Sequence, residues 1–255
     1  MLVISDLHGN HQAVRHLVTR GEPLVILGDF LNYVDYRTGE GMVAEVLGLE
    51  FALRVAALRG RQDFVGWREL WGQASGEFEG DIRAAFNRVV RRQYDEMRDA
   101  LVGASGYATF GNVDVPDLLK AALPSEMSFA HGEVVELAGY RIGFVGGAHA
   151  APLEGSISVS ESDVESMLSS FGYVDILCSH IPPAVDPLRV DVITGHRERA
   201  SQALLDYVKA TQPEYHLFGD VHQPQAARWK IGSTTCQNVG YFRATGRPFE
   251  LPNRS

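Results

Sequence analysis

The sequence predicts an α/β or α+β fold with a mixed, two-sheet core. Three features predict it: short apolar runs that end in polar loops, two hairpin patterns, and one long helical stretch. Each apolar run is followed by a polar or helical stretch, which is typical of a strand whose end carries a functional loop. The runs are residues 2–4, 24–27, 107–110, 174–178 and 215–218.

Helices and hairpins fill the stretches between these runs. Helices are predicted over residues 11–19, 163–171 and 199–210. Ser162 and Glu165 predict a capping box at the start of the second helix, and Pro213 stops the third. Two antiparallel hairpins are predicted, one from residues 133–137 and 141–145 and the other from residues 226–231 and 234–239.

The exception is residues 41–101, which contain no proline and no convincing strand. Apolar side chains recur there at helical spacing, as from Ile82 to Phe86. We therefore predict a helical insertion over residues 35–105 within one domain of residues 1–255. Three roles stay open for it: a cap over the mouth of a site, a lateral packing element, or a homo-oligomer contact.

Composition and charge exclude several classes of protein. A chain of 255 residues with 45% hydrophobic side chains is not disordered, and Cys178 and Cys236 are too few for a disulfide framework. No apolar run approaches the roughly 18 residues that span a bilayer, and the N-terminus lacks a signal-peptide pattern. We expect a soluble, cytoplasmic protein with no membrane partner. The net charge of -9 does not favour nucleic acid as a partner.

Oxygen and imidazole donors recur directly after the predicted strands. They are Asp6, His8, Asp29, Asn112, His180 and His222. One such motif alone is weak, because a lone histidine after a strand is more often packed than bound to a metal. Ligands bind outside the carboxyl ends of strands in sheets flanked by helices, so these donors are expected to converge. Carboxylate and amide oxygens suit hard cations, and imidazole suits Mn, Fe, Ni or Zn.

The order of these motifs resembles that of the calcineurin-like metallophosphoesterases. The matching motifs are Asp6-x-His8, Gly28-Asp29, Gly111-Asn112, His180 and the Gly-x-x-His that ends at His222. The stretches 179–183 and 195–197 are similar to bacterial and archaeal phosphoesterases of this superfamily, and the resemblance covers Met1 to about Tyr241 apart from the insertion. It implies a two-sheet β-sandwich flanked by helices, with a binuclear metal centre.

The resemblance also implies a role for each motif residue. The implied metal ligands are Asp6, His8 and His222 for one ion, Asn112 and His180 for the other, and Asp29 as the bridge. The predicted catalytic residues are Asp29, Asn112 and His8. A hydroxide that bridges the metals would attack phosphorus in line while the cations stabilise the phosphoryl charge. The expected cofactor is a pair of divalent ions, with Mn first and Fe, Mg, Ni and Zn as alternatives.

The sequence departs from the family pattern at two positions. Val113 stands where many members have a histidine that assists the leaving group, so the serine/threonine protein phosphatases are a poor match. Bacterial members that lack this histidine are regarded as phosphodiesterases. Asp220 stands where the family usually has histidine. It is predicted to bind the second metal through oxygen and so to favour Mn or Mg, or else only to orient a water or His196.

The predicted function is a metal-dependent phosphoesterase that hydrolyses phosphodiesters, and also phosphomonoesters, in small phosphorylated substrates. The alternatives are a catalytically attenuated scaffold with the same fold and a phosphomonoesterase for a small metabolite. The predicted substrate contacts are His196, Arg197, His149 and Arg243. Asp114 is expected to join the acids of the metal centre, and Cys178 to be an inert core thiol.

Overall fold

The computed structural model describes residues 1–150, 152–153, 156–193 and 195–254. The chain divides into two compact units. The first comprises Met1–Phe30 and Met97–Ser255, and the second comprises Leu31–Glu96. Among the described residues, no helix combines the length and apolar character that crossing a bilayer requires.

Two sheets form the first unit. The strands are β1 (Leu2–Ile4), β2 (Leu24–Ile26), β3 (Gly106–Ala108), β4 (Met127–Phe129), β5 (Glu133–Leu137), β6 (Tyr140–Val145), β7 (Ile176–Ser179), β8 (Tyr215–Phe218), β9 (Arg228–Ile231), β10 (Thr234–Asn238) and β11 (Phe249–Glu250). The orders are β11-β1-β2-β3-β4 and β5-β6-β7-β8-β10-β9. Neighbouring strands from β1 to β4, and along β6, β7, β8 and β10, are parallel, so within each sheet their carboxyl ends lie at one edge.

The core lies between the two sheets. Val3 and Val25 from the first sheet pack in one buried cluster with Phe144, Cys178 and Leu217 from the second. The central strands are buried on both faces, which explains why they appear in the sequence as short continuous apolar runs. Both predicted hairpins are present as β5–β6 and β9–β10. These sheets, with the helices around them, confirm the predicted fold class.

The helices connect these strands. They are α1 (His11–Val18), α2 (Met42–Leu47), α3 (Leu49–Gly60), α4 (Phe64–Glu77), α5 (Ile82–Ala100), α6 (Pro116–Ala122), α7 (Glu161–Phe171), α8 (Asp186–Arg189), α9 (Gln202–Thr211) and α10 (Phe242–Thr245). Five short elements, α6, α8, α10, β4 and β11, are absent from the sequence prediction. Each is only two to seven residues long, too short to show a clear period.

The second unit is helical throughout its regular structure. It contains α2, α3, α4 and most of α5, as the strandless pattern predicted. Val43, Ala52, Val55 and Leu70 form its buried core, with aromatic side chains packed around them. Its role as a cap, packing element or dimer contact stays a prediction.

The predicted capping box of α7 was wrong by two residues. Ser160 is the N-cap, and its Oγ accepts the Asp163 backbone N–H at 3.2 Å. The Asp163 carboxylate accepts the Ser160 backbone N–H at 2.9 Å in return. Ser160 has the extended backbone of a cap, whereas the predicted cap Ser162 already lies inside the helix.

This capping box predicts a local difference between two neighbouring serines. Ser160→Ala removes the cap and is expected to lower the free energy of unfolding by about 1 kcal/mol. The matched change Ser162→Ala leaves the cap in place and is expected to cost less than about 0.5 kcal/mol. Urea unfolding of both variants measures the difference, and equal losses would contradict the assignment.

Candidate metal centre

Four of the predicted site residues have left-handed backbone conformations. The φ angles are 58° at Asp6, 39° at His8, 56° at Asp29 and 65° at Asp220. Such angles are uncommon outside glycine and cluster at functional sites, although aspartate tolerates them better than most residues. The turns that follow β1, β2 and β8 therefore orient these side chains by means of an uncommon backbone conformation.

Hydrogen bonds between loops hold these turns in place. The Asp6 N–H donates to the Gly28 carbonyl at 3.1 Å, and the His8 N–H donates to the Asp29 carbonyl at 2.9 Å. The parallel pairing of β1 with β2 thus continues beyond the strands. As a result, the position of Asp6 is tied to that of Asp29.

Glycines leave the room that the two carboxylates need. A Cβ at Gly111 would collide with Asp29 Oδ1, and a Cβ at Gly219 or Gly240 would collide with Asp6 Oδ2. Any larger residue would displace a carboxylate oxygen. This explains the glycine in the Gly111-Asn112 and Gly219-Asp220 motifs.

The first cluster of donor atoms consists of Asp6, His8 and His222. One ligand atom from each lies within 4.8 Å of the others. The two histidine Nε2 atoms are 3.1 Å apart, and His222 Nε2 is 3.5 Å from Asp6 Oδ1. The structure thus brings together the three residues that the resemblance implied for one ion.

The second cluster consists of Asp6, Asp29 and His180 and meets the same 4.8 Å limit. Asp29 Oδ1 lies 3.5 Å from His180 Nε2, and Asp29 Oδ2 lies 3.6 Å from His8 Nε2. Asp29 therefore belongs to the second cluster and also lies close to His8 of the first, which is the placement that a bridging carboxylate would need. Asp6 belongs to both clusters, which the sequence did not predict.

Two buried donor atoms in this second region have unused lone pairs. His180 Nδ1 donates to the Leu27 carbonyl at 2.8 Å, which leaves Nε2 unprotonated in the neutral ring. His180 Nε2 and Asn112 Oδ1 are buried, and neither has a hydrogen-bond partner in the described part of the chain. Buried polar atoms are rarely left unpaired, so both atoms fit metal coordination.

Asp220 lies beside the second cluster. Its Oδ1 is 3.6 Å from His180 Nε2, and its backbone N–H donates to both oxygens of Asp6 at 3.1 and 3.2 Å. The carboxylate is therefore near the centre without belonging to either cluster of close donor atoms. Its role as a ligand stays a prediction.

Burial and mutual repulsion shift the pKa values of these acids apart. Desolvation, with the charges of Asp6, Asp114 and Asp220, raises the pKa of Asp29 to about 8. Desolvation also raises the pKa of Asp220 to about 6. For Asp6, desolvation is outweighed by His222 and the other histidines, which lower its pKa to about 2. Burial opposes protonation of His180, but Asp29, Asp220 and Asp6 together raise its pKa to about 9.

These shifts have two causes: burial disfavours the charged forms, and the centre concentrates more negative charge than its own histidines offset. Without a cation, this excess of negative charge favours a proton on the Asp29–His180 pair. Mixed oxygen and imidazole donors are suited to Mn, Fe, Ni or Zn. The donor set and its unpaired atoms therefore fit metal ions.

Asp114 acts on the backbone of the centre. Its Oδ2 accepts the Asp29 N–H at 2.8 Å and the Gly111 N–H at 2.9 Å, and its Oδ1 accepts the Phe30 N–H at 3.0 Å. The Asp114 carboxylate thus joins the loop that follows β2 to the loop that follows β3. Asp114 thus lies at the centre through hydrogen bonds to its loops, outside the two clusters of close donor atoms.

The predicted substrate residues are not brought together. Arg197 pairs with Asp186 at 2.9 Å, and His149 Nε2 lies 3.0 Å from Glu161 Oε1. The His196 carbonyl accepts the Asp191 N–H in a turn of the same loop as Arg197. Arg243 is nearest the centre, since its guanidinium donates to the His8 carbonyl at 2.5 Å. Substrate contact by any of the four stays a prediction.

Sequence reasoning missed Tyr241, whose ring lies on the His222 imidazole. The residue follows β10, so it obeys the same rule that located the other site residues after strand ends. An aromatic side chain has no specific metal-binding signal, which is why the pattern passed over it.

A sequence model described as calcineurin-like phosphoesterase matches residues 1–224. This match confirms the superfamily that the ordered motifs predicted. No curated protein matches the chain.

The contacts of Asp114 predict a large loss of stability on removing one carboxylate oxygen. In Asp114→Asn, one of the two oxygens that accept from three backbone N–H groups becomes an NH₂ group, which cannot accept. The substitution is therefore expected to lower the free energy of unfolding by about 3 kcal/mol. Asp117→Asn, an exposed neighbour in α6, is expected to cost less than about 1 kcal/mol. Urea unfolding measures both, and a loss at Asp114 no larger than at Asp117 would contradict the role.

The raised pKa values predict that metal binding releases protons. Burial raises the pKa of Asp29, and the carboxylates around His180 raise the pKa of its imidazole, so this coupled pair holds at least one proton at pH 7 in the metal-free protein. Bound Mn²⁺ must displace about one proton or more from this pair, and its affinity is expected to rise between pH 6 and 9. Calorimetric titration with Mn²⁺ in two buffers of different ionisation enthalpy counts these protons. A heat that is the same in both buffers would contradict the prediction.

Proposed function

Because the chain belongs to the calcineurin-like phosphoesterase family, we propose that this phosphoesterase hydrolyses small phosphodiesters with the help of two divalent cations. The observation that carries the proposal is the convergence of two donor clusters that share Asp6, with Asp29 of the second cluster 3.6 Å from His8 of the first. A scaffold that had lost its chemistry would have no need of paired clusters with unused lone pairs at His180 and Asn112.

The two clusters would hold one cation each. Asp6, His8 and His222 would bind the first, while Asp29 would contact both. The second would be held by His180 and Asn112 Oδ1, with Asp220 beside them. When bound, the cations would supply a water nucleophile at neutral pH and Lewis acidity toward the phosphoryl oxygens.

Manganese is the proposed metal. The carboxylates of Asp6, Asp29 and Asp220 and the amide of Asn112 are hard oxygen donors, whereas His8, His180 and His222 are borderline nitrogen donors. Mn²⁺ accepts such a mixture, and extra carboxylates shift preference away from Zn²⁺ toward harder ions.

The charge of the centre favours a substrate with one negative charge. Three carboxylates near the donor clusters offset most of the charge of two dications, so little positive charge remains to attract a phosphate dianion. A phosphodiester carries one negative charge, while a monoester carries nearly two at neutral pH. The overall charge of -9 also disfavours long polyanions such as nucleic acid.

The side chain at position 113 sets a limit on the leaving group. Val113 is nearly buried, and its backbone N–H donates to Asp29 Oδ1 at 3.2 Å, but its apolar side chain holds no proton. Leaving groups that depart without a positioned acid are therefore favoured. His8 and His222 are 12% and 34% exposed, while Asp6 and His180 are fully buried. Substrate is expected to approach from the side of His8 and His222.

The proposed function predicts that catalytic activity depends on the Asp29 carboxylate. Asp29→Asn keeps the side-chain shape but removes the charge that both clusters face, so Mn²⁺-dependent kcat/KM for bis(p-nitrophenyl) phosphate is expected to fall about a thousandfold or more. Asp206→Asn changes an exposed aspartate of α9 and is expected to leave kcat/KM within twofold of wild type. Elemental analysis of each protein accompanies the assay.

Three results would overturn parts of the proposal. Activity of Asp29→Asn near wild type would remove the assignment of the centre. Faster turnover of p-nitrophenyl phosphate than of the diester would favour the monoesterase. Metal bound at two ions per chain without turnover of either substrate would favour the scaffold.

A further inference from the structure

Tyr241 lies directly against the first donor cluster. Its ring stacks on the His222 imidazole, with the centroids 4.0 Å apart and the planes 7° from parallel. The same ring meets the His8 imidazole nearly edge-on at 5.9 Å. One aromatic side chain therefore contacts both histidines of this cluster.

The imidazoles of His180 and His222 are held in orientation by different contacts. The His180 ring is fixed by its hydrogen bond from Nδ1 to the Leu27 carbonyl. For His222, the contacts within the described residues all involve Nε2 or the ring face, and no backbone carbonyl accepts from Nδ1. The stack on Tyr241 occupies the place of the usual orienting hydrogen bond.

The backbone around Tyr241 is tied to both loops of the cluster. The Phe242 N–H donates to the Ser5 carbonyl at 3.0 Å, next to Asp6. On the other side, Asn238 Nδ2 donates to the Val221 carbonyl at 2.8 Å, next to His222. The aromatic ring is thus carried by a segment whose position is fixed relative to the donors.

We propose that Tyr241 is a positioning residue that, by stacking, holds the His222 imidazole with Nε2 toward Asp6 and so sets the metal affinity of the first cluster. The proposal rests on the proposed function, because it assumes that this cluster binds a cation. It also goes beyond the family match, which ends at residue 224. The stack, not the phenol oxygen, is the feature that matters.

Three substitutions separate the stack from other effects. Tyr241→Phe keeps the ring and removes the hydroxyl. Tyr241→Leu keeps an apolar side chain and removes the ring. Tyr173→Leu is the matched control, since Tyr173 is exposed and precedes β7, at the opposite end of that strand from His180.

The metal-free proteins are titrated with Mn²⁺ by calorimetry and by electron paramagnetic resonance. Tyr241→Leu is expected to weaken one of two Mn²⁺ sites about tenfold or more and to reduce the signal of the coupled Mn²⁺ pair. Tyr241→Phe and Tyr173→Leu are expected to bind both ions within twofold of wild type. In the metal-free protein, the ring-current shift of the His222 carbon-bound protons is expected to persist in Tyr241→Phe and to disappear in Tyr241→Leu.

The outcomes distinguish this inference from the function beneath it. Wild-type protein that binds no Mn²⁺ would overturn the proposed function and this inference with it. Wild-type protein that binds two ions, with Tyr241→Leu equal to it, would overturn the inference alone. An equal loss in Tyr241→Phe and Tyr241→Leu would also overturn it, because the hydroxyl would then be responsible.

Discussion

The centre depends on concentrating carboxylates in a buried place. Asp6, Asp29 and Asp114 are almost completely buried at the ends of neighbouring parallel strands, and Asp220 joins them from the second sheet. Removing even one charge from water is costly, so each carboxylate needs a specific partner. Backbone N–H groups serve Asp114, histidines face Asp6 and Asp29, and the remaining imbalance is what cations would offset.

This charge explains the unusual backbone around it. Left-handed turns at Asp6, Asp29 and Asp220 each cost of order 1 kcal/mol or more, and glycines at neighbouring positions forgo side-chain packing. The loop-to-loop hydrogen bonds keep these turns from relaxing into ordinary ones. The parallel strands at the centre of the two mixed sheets supply the rigid base, because these strands are buried on both faces.

The sequence predicts the parts of this arrangement that repeat and misses those that do not. Strand ends followed by donor residues recur five times along the sequence, so the sequence predicts that Asp6, Asp29 and His180 converge at one site. Asp114 and Tyr241 act through single contacts, one with backbone N–H groups and the other with an imidazole face. Nothing periodic marks such contacts. The N-cap of α7 was placed two residues too late because Ser160 and Ser162 offer the same local signal.

The two departures from the family pattern both make the electrostatic potential of the centre less positive. By the resemblance to the family, valine at position 113 stands in place of a side chain that could carry positive charge, and aspartate at position 220 stands in place of a histidine. Each change lowers the positive electrostatic potential at the site where a substrate would bind, so their effects add. A dianionic monoester loses more attraction than a diester in such a field, since Coulomb energy scales with charge. Under the proposed function, the same two positions would therefore favour both a singly charged substrate and a leaving group that departs without a positioned acid.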